Sequence, residues 1–263
     1  MSLQELMTAS FDYQTNNLYT AAPGIVVAVR NNLDELSVDV QPTVNILNKD
    51  KTTKERPVVL NVPVQMPSSS LAALTFPINV GDPVLLVYSM RSLDIWKRSE
   101  GRPTVPNDNR KFDKRDCFAI PGVWPFSRSV NKPSTRIWQH DTNDLVIDNN
   151  IGTGLENEVR LHKNGDVTIN TNKDVFVNCN NATVTAQTNI DMVCETFSLD
   201  ATTINMTADT ASISIANTMW TGNISQSGNY TGTGTQTFNG IIFQNHKHTG
   251  VTTGVGTSGG PTN

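Results

Sequence analysis

A repeat of about seven residues runs through the last third of the sequence and restricts the possible folds more than any other feature. Each repeat has two apolar or small residues at positions i and i+2, followed by Asn, Asp, Thr or Ser. The pairs are Val167/Ile169, Val175/Val177, Ala182/Val184, Ile190/Met192, Phe197/Leu199, Ile204/Met206 and Ala211/Ile213. Because side chains two residues apart share one face of a strand, the repeat predicts a succession of short β-strands with one apolar face.

The length of the repeat indicates how these strands assemble. Seven extended residues span roughly 23 Å, which is too short for one chain to circle a solenoid core and return. A single chain would also expose a long apolar stripe and unpaired strand edges. Three chains, each supplying one side per repeat, would close a triangular cross-section. The repeat therefore predicts an intertwined trimeric β-helix with the apolar stripe facing a threefold axis. A single-chain solenoid with irregular rungs and a Thr-rich sandwich are the alternatives.

Charge and proline separate this region from the rest of the chain. Only seven charged side chains lie in the 97 residues from Val167 onward, of 20 Lys and Arg and 24 Asp and Glu in all. That stretch has no proline before Pro261, whereas the earlier residues have the composition of ordinary globular sequence. The predicted organisation is an N-terminal arm (1–20), a globular domain (21–125), a connector (126–166), a shaft (167–240) and an apex (241–263). The arm is compatible with a short helix around "LQELMTASF" or with an extended docking arm.

The first region has the pattern of a small all-β domain. The segment "GIVVAVRNNLDELSVDVQPTV" has two apolar runs around a turn, which is a hairpin signal. Further strands are predicted in "RPVVLNVPVQMP", in "INVGDPVLLVYSMRSLDIW" and in "DCFAIPGVWP". Five short strands in about 100 residues fit a barrel of the oligonucleotide/oligosaccharide-binding (OB) type. The whole chain is thus expected to be all-β, with an OB-fold barrel followed by the trimeric β-helix.

Two of the four histidines, His246 and His248, lie two residues apart near the C-terminus. In a strand they point to the same face, so three chains would bring six imidazoles to the axis in two rings of three. Zinc prefers four ligands, whereas an octahedron of nitrogens suits iron(II), with nickel or cobalt as competitors. We predict a metal-bound apex with one structural Fe²⁺ per trimer. An exposed polar tail is the alternative.

Composition and motifs argue against several other functions. A net charge of −4 does not favour a nucleic-acid binder that neutralises phosphates. No GxSxG element is present, and the carboxylates between 126 and 166 are interpreted as a solvated surface rather than an acid/base pair. These carboxylates include Asp141, Asp144, Asp148, Glu156 and Glu158. His140 and His162 are interpreted as packing or surface residues. We predict that the protein is not an enzyme.

The N-terminal residues and the cysteines give expectations about the compartment and the thiols. The N-terminal residues lack the basic and apolar regions of a secretory signal, which predicts a protein that folds in a cytoplasm. Three scattered cysteines form no CxxC pair, so buried free thiols are expected. They are Cys117, Cys179 and Cys194.

Several segments together resemble a known family, the membrane-piercing central baseplate spikes of contractile-tailed bacteriophages. They are "PGIVVAVRNNLDELSVDVQP", "VGDPVLLVYSMRSLDIW", the Thr/Asn-rich repeat, and "NHKHTG" before a Gly-rich end. The resemblance extends over about residues 20–263. It implies a homotrimeric needle whose barrel lies against a baseplate hub protein and whose paired histidines, His246 and His248 here, hold iron at the apex.

The resemblance also implies where the protein acts. Such a protein is assembled in the host cytoplasm, lies at the tip of the tail baseplate in the virion, and breaches the host outer membrane mechanically when the tail sheath contracts. One alternative is a receptor- or polysaccharide-binding tail fibre, which would need an exposed groove rich in aromatic and carboxylate side chains. The spike of a tailocin or of a secretion-type injection apparatus is another, because its mechanics are the same.

Overall fold

The structure is a computed structural model of one chain. It describes residues 2–16, 18–32, 35–48, 50–139, 141–242, 250 and 254. The chain divides into two compact units, Met1–Thr183 and Val184–Asn263, which are described separately below. Among the described residues there is one α-helix, and the regular structure is otherwise almost entirely β, as the sequence predicts. The predicted domain boundaries stay a prediction.

The N-terminal arm contains a helix, α1 (Leu3–Asn16). Its start is a capping box: the Ser2 backbone N–H donates to the Glu5 carboxylate over 2.7 Å, and the Glu5 N–H donates to the Ser2 hydroxyl over 3.2 Å. The apolar side chains of α1 are exposed: Leu3, Leu6, Met7, Phe11 and Tyr13. In the part of the chain that the structure describes, no helix has the length and apolarity needed to cross a membrane.

Seven strands lie before residue 122 among the described residues of the first unit. They are β1 (Ala21–Asn32), β2 (Glu35–Pro42), β3 (Ile46–Leu47), β4 (Thr53–Lys54), β5 (Val59–Pro63), β6 (Pro83–Tyr88) and β7 (Cys117–Pro121). Strands β3 and β4 form a separate two-stranded ribbon. The other five form one antiparallel sheet in the order β5-β2-β1-β6-β7, and β1 and β2 are the hairpin that the sequence predicts.

This five-stranded sheet curls towards closure. Val64, which directly follows β5, forms a parallel bridge with Ala119 of β7, and the Gln65 N–H donates to the Ala119 carbonyl over 2.8 Å. The two outer strands therefore approach each other, and the sheet becomes a half-barrel around one apolar core. The buried core side chains are Val26, Val38, Val40, Val59, Val62, Val84, Leu86, Tyr88, Cys117 and Ala119.

One glycine is required by the packing of this core. A Cβ atom on Gly24 of β1 would lie 2.4 Å from the Val40 Cγ1 atom of β2. Real carbon atoms do not approach so closely, so any larger residue would displace Val40 from the core. Gly24 thus allows the inward side chain of the neighbouring strand to reach the centre of the half-barrel.

An arginine holds the long segment between β6 and β7 against the sheet. The Arg110 guanidinium lies 2.6 Å from the carboxylates of Asp94 and Asp108, and 3.1 Å from that of Asp116. Asp116 is completely buried and also accepts the Leu93 backbone N–H over 2.9 Å. The pKa of Arg110 is raised by its hydrogen bonds with Asp116 and Asp94. The positive charge is therefore fixed, and it compensates a carboxylate that would otherwise be buried without a counterion.

A second sheet follows within the same unit. Three short 3₁₀ turns lie before this sheet in the described chain. Trp96–Arg98 lies between β6 and β7, and Phe126–Arg128 and Pro133–Thr135 follow β7. Strands β8 (Leu145–Asn149), β9 (Asn157–Leu161) and β10 (Val167–Thr171) then form an antiparallel sheet in the order β10-β9-β8. Gly165, with φ of 97°, lies in the turn "KNGD" between β9 and β10. Strands β8 and β9 lie in the segment that was predicted as a connector, and β10 contains the first apolar pair of the repeat.

The remaining repeat has no regular structure in this single chain. Residues 172–236 are all described, and within them no strand forms. The second unit contains only the hairpin of β11 (Thr237–Phe238) and β12 (Ile241–Ile242) among its described residues. Asn239 and Gly240 between them both have positive φ, as a tight hairpin turn requires. The trimeric β-helix therefore stays a prediction.

The cysteines agree only in part with the expectation of buried thiols. Cys117 is completely buried in the half-barrel, and burial raises the pKa of its thiol to about 12. Cys179 and Cys194 are exposed, because they lie in the strandless stretch of the chain.

Replacement of Arg110 tests the role of the ion pairs in the first unit. We expect Arg110→Met to lower the free energy of unfolding by about 3–5 kcal/mol, because it leaves Asp116 buried without a counterion. Arg115→Met is the matched control: Arg115 pairs with Asp113 at the surface, so a loss of less than about 1 kcal/mol is expected. Urea unfolding measures both, and equal losses would contradict the assignment.

Candidate functional site

The predicted metal ligands, His246 and His248, lie outside the described residues, as does His140. The last described strand before them, β12, ends at Ile242. The iron site therefore stays a prediction, and the described residues offer two other surfaces of interest. Both belong to the second sheet, one on each of its faces.

One face of the second sheet carries a group of charged side chains that we name the ionic layer. It consists of Arg136, Asp148, Glu156, Glu158 and Arg160. The side chains of Arg136 and Asp148 form an ion pair and are 5% and 3% exposed. Arg160 donates to the Glu158 carboxylate over 2.8 Å, and these side chains are 7% and 0% exposed. Charged groups thus occupy the buried face of this sheet.

Glu156 joins the ionic layer from the loop between β8 and β9. Its carboxylate accepts the backbone N–H of Ile137 over 3.2 Å and that of Gly152 over 2.9 Å. It thereby connects the segment before β8 to the loop after it. The interpretation of Asp148, Glu156 and Glu158 as a solvated surface is wrong, because Arg136, Arg160 and backbone donors compensate these carboxylates in the interior.

The three carboxylates of the ionic layer lie close enough to repel one another. One oxygen from each of Asp148, Glu156 and Glu158 lies within 4.8 Å of the others. Burial raises the pKa of Asp148, and the charges of Glu156 and Glu158 add to this rise, while Arg136 opposes it. Each carboxylate already accepts a bond from an arginine or from backbone N–H groups, so the layer has the character of a structural network.

The turn between β9 and β10 is ordered by a second polar group. The His162 Nδ1 atom lies 3.2 Å from the Asp144 carboxylate, and its Nε2 atom lies 3.0 Å from the Thr168 hydroxyl. Lys163 pairs with Asp141 over 2.8 Å, and this contact lowers the pKa of Asp141. His162 is thus half-buried at a turn, where it connects β10 to the start of β8.

The opposite face of the second sheet is apolar and exposed, and we name it the apolar face. Its six side chains are Leu145, Ile147, Val159, Leu161, Val167 and Ile169. The strand register aligns them directly across the sheet in two rows: Leu145–Leu161–Val167 and Ile147–Val159–Ile169. Each of the six is between 39% and 64% exposed. The sheet is therefore inverted, with charge inside and hydrocarbon outside.

The apolar pairs of the repeat continue this exposure beyond β10. Within residues 175–213, which are all described, none of the paired side chains is buried. Ile190, at 51%, is the least exposed of the larger ones, and Met206 reaches 84%. Hydrophobic surface of this extent is larger than the exposed apolar patches of a typical soluble monomer.

Comparison with known protein families identifies the first sheet. Residues 22–122 match the family model of the phage protein Gp138 N-terminal domain. The matched residues begin in β1 and end one residue after β7, so they coincide with the five-stranded half-barrel. The match indicates a phage structural protein related to tails and baseplates. No curated protein matches the chain.

The ionic layer gives a prediction about pH. Because the pKa of Asp148 is raised in the folded protein, its contribution to stability is complete below the ordinary value of 3.8 and is lost as the pH rises through the folded value. The difference in unfolding free energy between wild type and Asp148→Asn should therefore fall as the pH is raised from about 3 to 7.

Asp141→Asn is the matched control for this measurement. Lys163 lowers the pKa of Asp141, so its contribution is present above the ordinary value and is lost as the pH falls. The difference between wild type and Asp141→Asn should rise over the same pH range. Chemical unfolding at a series of pH values measures both differences, and parallel slopes would contradict the buried position of Asp148.

Proposed function

We propose that this protein is the structural spike at the tip of a phage contractile tail, which pierces the host outer membrane when the sheath contracts. The observation that carries the proposal is the combination of a phage-matched half-barrel with a long, weakly charged segment whose apolar pairs are exposed. The first feature supports a place in a tail or baseplate. The second supports a shaft that is completed by other chains.

The exposed apolar pairs support a homotrimer. Backbone N–H and C=O groups need hydrogen-bond partners, and residues 172–236 have no partner strands within the chain that the structure describes. Strands from two further copies supply those partners and cover the apolar stripe at the same time. In the proposed trimer the edges of each chain pair with its neighbours, and the shaft becomes stiff.

The arrangement of the half-barrel supports its interpretation as an OB-type barrel. Five strands in the order β5-β2-β1-β6-β7, with a parallel bridge between the segments at the two ends of that order, have the connectivity of a five-stranded, partly open barrel. In the proposed spike this barrel contacts the baseplate hub protein. The protein penetrates the membrane mechanically, with force from the sheath, and binds no nucleic acid.

The chemistry of His246 and His248 supports a structural iron at the apex. Two imidazoles per chain at positions i and i+2 give six nitrogen donors per trimer, which fit an octahedral Fe²⁺. A site whose six positions are all occupied by protein has no open position for a substrate, unlike a catalytic metal. We therefore propose that the ion joins three chain ends and that the protein is not an enzyme.

The position of the chain in the virion tests the proposed function directly. Antibodies raised against residues 22–122 and labelled with gold are expected to bind at the tip of the baseplate in electron micrographs, because the spike lies on the tail axis. An antibody against the tail sheath serves as the control. Label on lateral fibres would overturn the proposal in favour of a receptor- or polysaccharide-binding fibre.

Elemental analysis of purified, tag-free protein tests the metal site. One iron per three chains is expected, and the double substitution His246→Ala/His248→Ala should remove it, because all six donors are lost. Lys247→Ala is the matched control: if the three residues form a strand, the side chain between the two histidines would face away from the axis, and its loss should leave the iron in place. Unchanged metal content in the double variant would contradict the assignment.

A further inference from the structure

We propose that the apolar face of the second sheet is a contact surface between three copies of this chain, formed where the predicted connector meets the predicted shaft. This inference rests on the homotrimer of the proposed function and adds a defined surface to it. Four of its six side chains belong to β8 and β9, which precede the repeat. The surface therefore extends beyond the apolar stripe of the repeat.

The inversion of the sheet is the first argument. A sheet is normally stabilised by burying its apolar face, whereas here the buried face holds the ionic layer. Moving charges out of water costs free energy that ion pairing does no more than balance. Within one chain the six apolar side chains therefore contribute little, and their contribution becomes available only when another surface covers them.

The chemistry of the apolar face restricts the partner. The two rows contain only Leu, Ile and Val, and the third row across the sheet consists of Asn149, Asn157 and Thr171. No charged side chain lies in these rows, so no complementary charge selects a foreign partner. An uncharged hydrocarbon surface is best covered by another uncharged hydrocarbon surface. A second copy of this chain supplies one.

Continuity with the repeat favours copies of this chain over any other occupant. Val167 and Ile169 belong both to the apolar face and to the series of paired residues, and the next pair, Val175 and Val177, is exposed as well. Strand β10 thus carries the same apolar stripe into the shaft. If three shafts pack around one axis through this stripe, the three β10 strands bring their sheets to that axis with the apolar faces inward.

The strand register determines which side chains lie at the centre of the proposed contact. Strand β9 is the central strand of each sheet, and Val159 lies between Ile147 and Ile169 in its row. Three such faces around an axis form a closed apolar core. The ionic layers then lie on the outer sides of this core, each still covered by the segment that contains Arg136.

Site-specific photo-crosslinking of the full-length protein tests the contact. A benzoylphenylalanine is introduced at Leu145, which is 64% exposed on an edge strand of the sheet, and the control carries it at Val105, which is 85% exposed in a loop of the same unit. Irradiation should produce covalent dimers of the 28.7 kDa chain from the Leu145 variant but not from the control. Mass spectrometry should place the new bond between the β8–β10 sheets of two copies.

The outcomes separate this inference from the proposed function. A wild-type protein that is monomeric by native mass spectrometry overturns the proposed spike and the inference together. A trimeric wild type whose Leu145 variant forms no adduct, or an adduct with α1 of its own chain or with a hub protein, overturns the inference alone.

A second pair of variants covers the case in which the bulky side chain prevents folding. Val159→Asp places three carboxylates at the proposed core, so trimers should dissociate at a lower temperature than wild type, and lowering the pH should restore them by protonation. Val105→Asp should leave the dissociation temperature unchanged. Equal dissociation temperatures in the two variants would overturn the inference.

Discussion

The edges of β-strands need hydrogen-bond partners, and apolar side chains need a surface that covers them. These two requirements determine the structure of this protein. The five-stranded half-barrel satisfies that need within one chain: its five strands pair in one sheet, and the parallel bridge between Val64 and Ala119 brings its outer strands together. The segment 172–236 has the same kind of requirement but no partner strands among the described residues. The described chain thus combines a half-barrel whose strands pair with one another and a segment that forms no strand of its own.

The second sheet meets one of these two requirements and not the other. Its backbone is paired within the chain through β8, β9 and β10, whereas its apolar face is not covered. The ionic layer supplies what a hydrophobic core usually supplies, a set of contacts that hold the connecting segment and the loop of Glu156 against the sheet. In the proposed trimer such a sheet would form before the chains associate, so less conformational entropy would be lost when they meet.

The sequence predicted strands where local patterns were clear. The hairpin of β1 and β2 follows from turn residues between two apolar runs. The second sheet was missed as a sheet, although Glu158 and Arg160 alternate with Val159 and Leu161 in a period of two. Charged residues at alternate positions normally indicate a solvated face, and only the positions of Arg136 and Asp148 reveal the opposite. The proposed metal site and the proposed trimer require contacts between chains, which the structure of one chain does not contain, so both stay predictions.

The ionic layer also affects how the protein responds to heat. The hydration of charged groups becomes less favourable as temperature rises, so the penalty for keeping Glu158 and Arg160 away from water decreases. Hydrophobic stabilisation does not grow in the same way at high temperature. A buried group of compensated charges is therefore relatively more stabilising at high temperature than at low temperature.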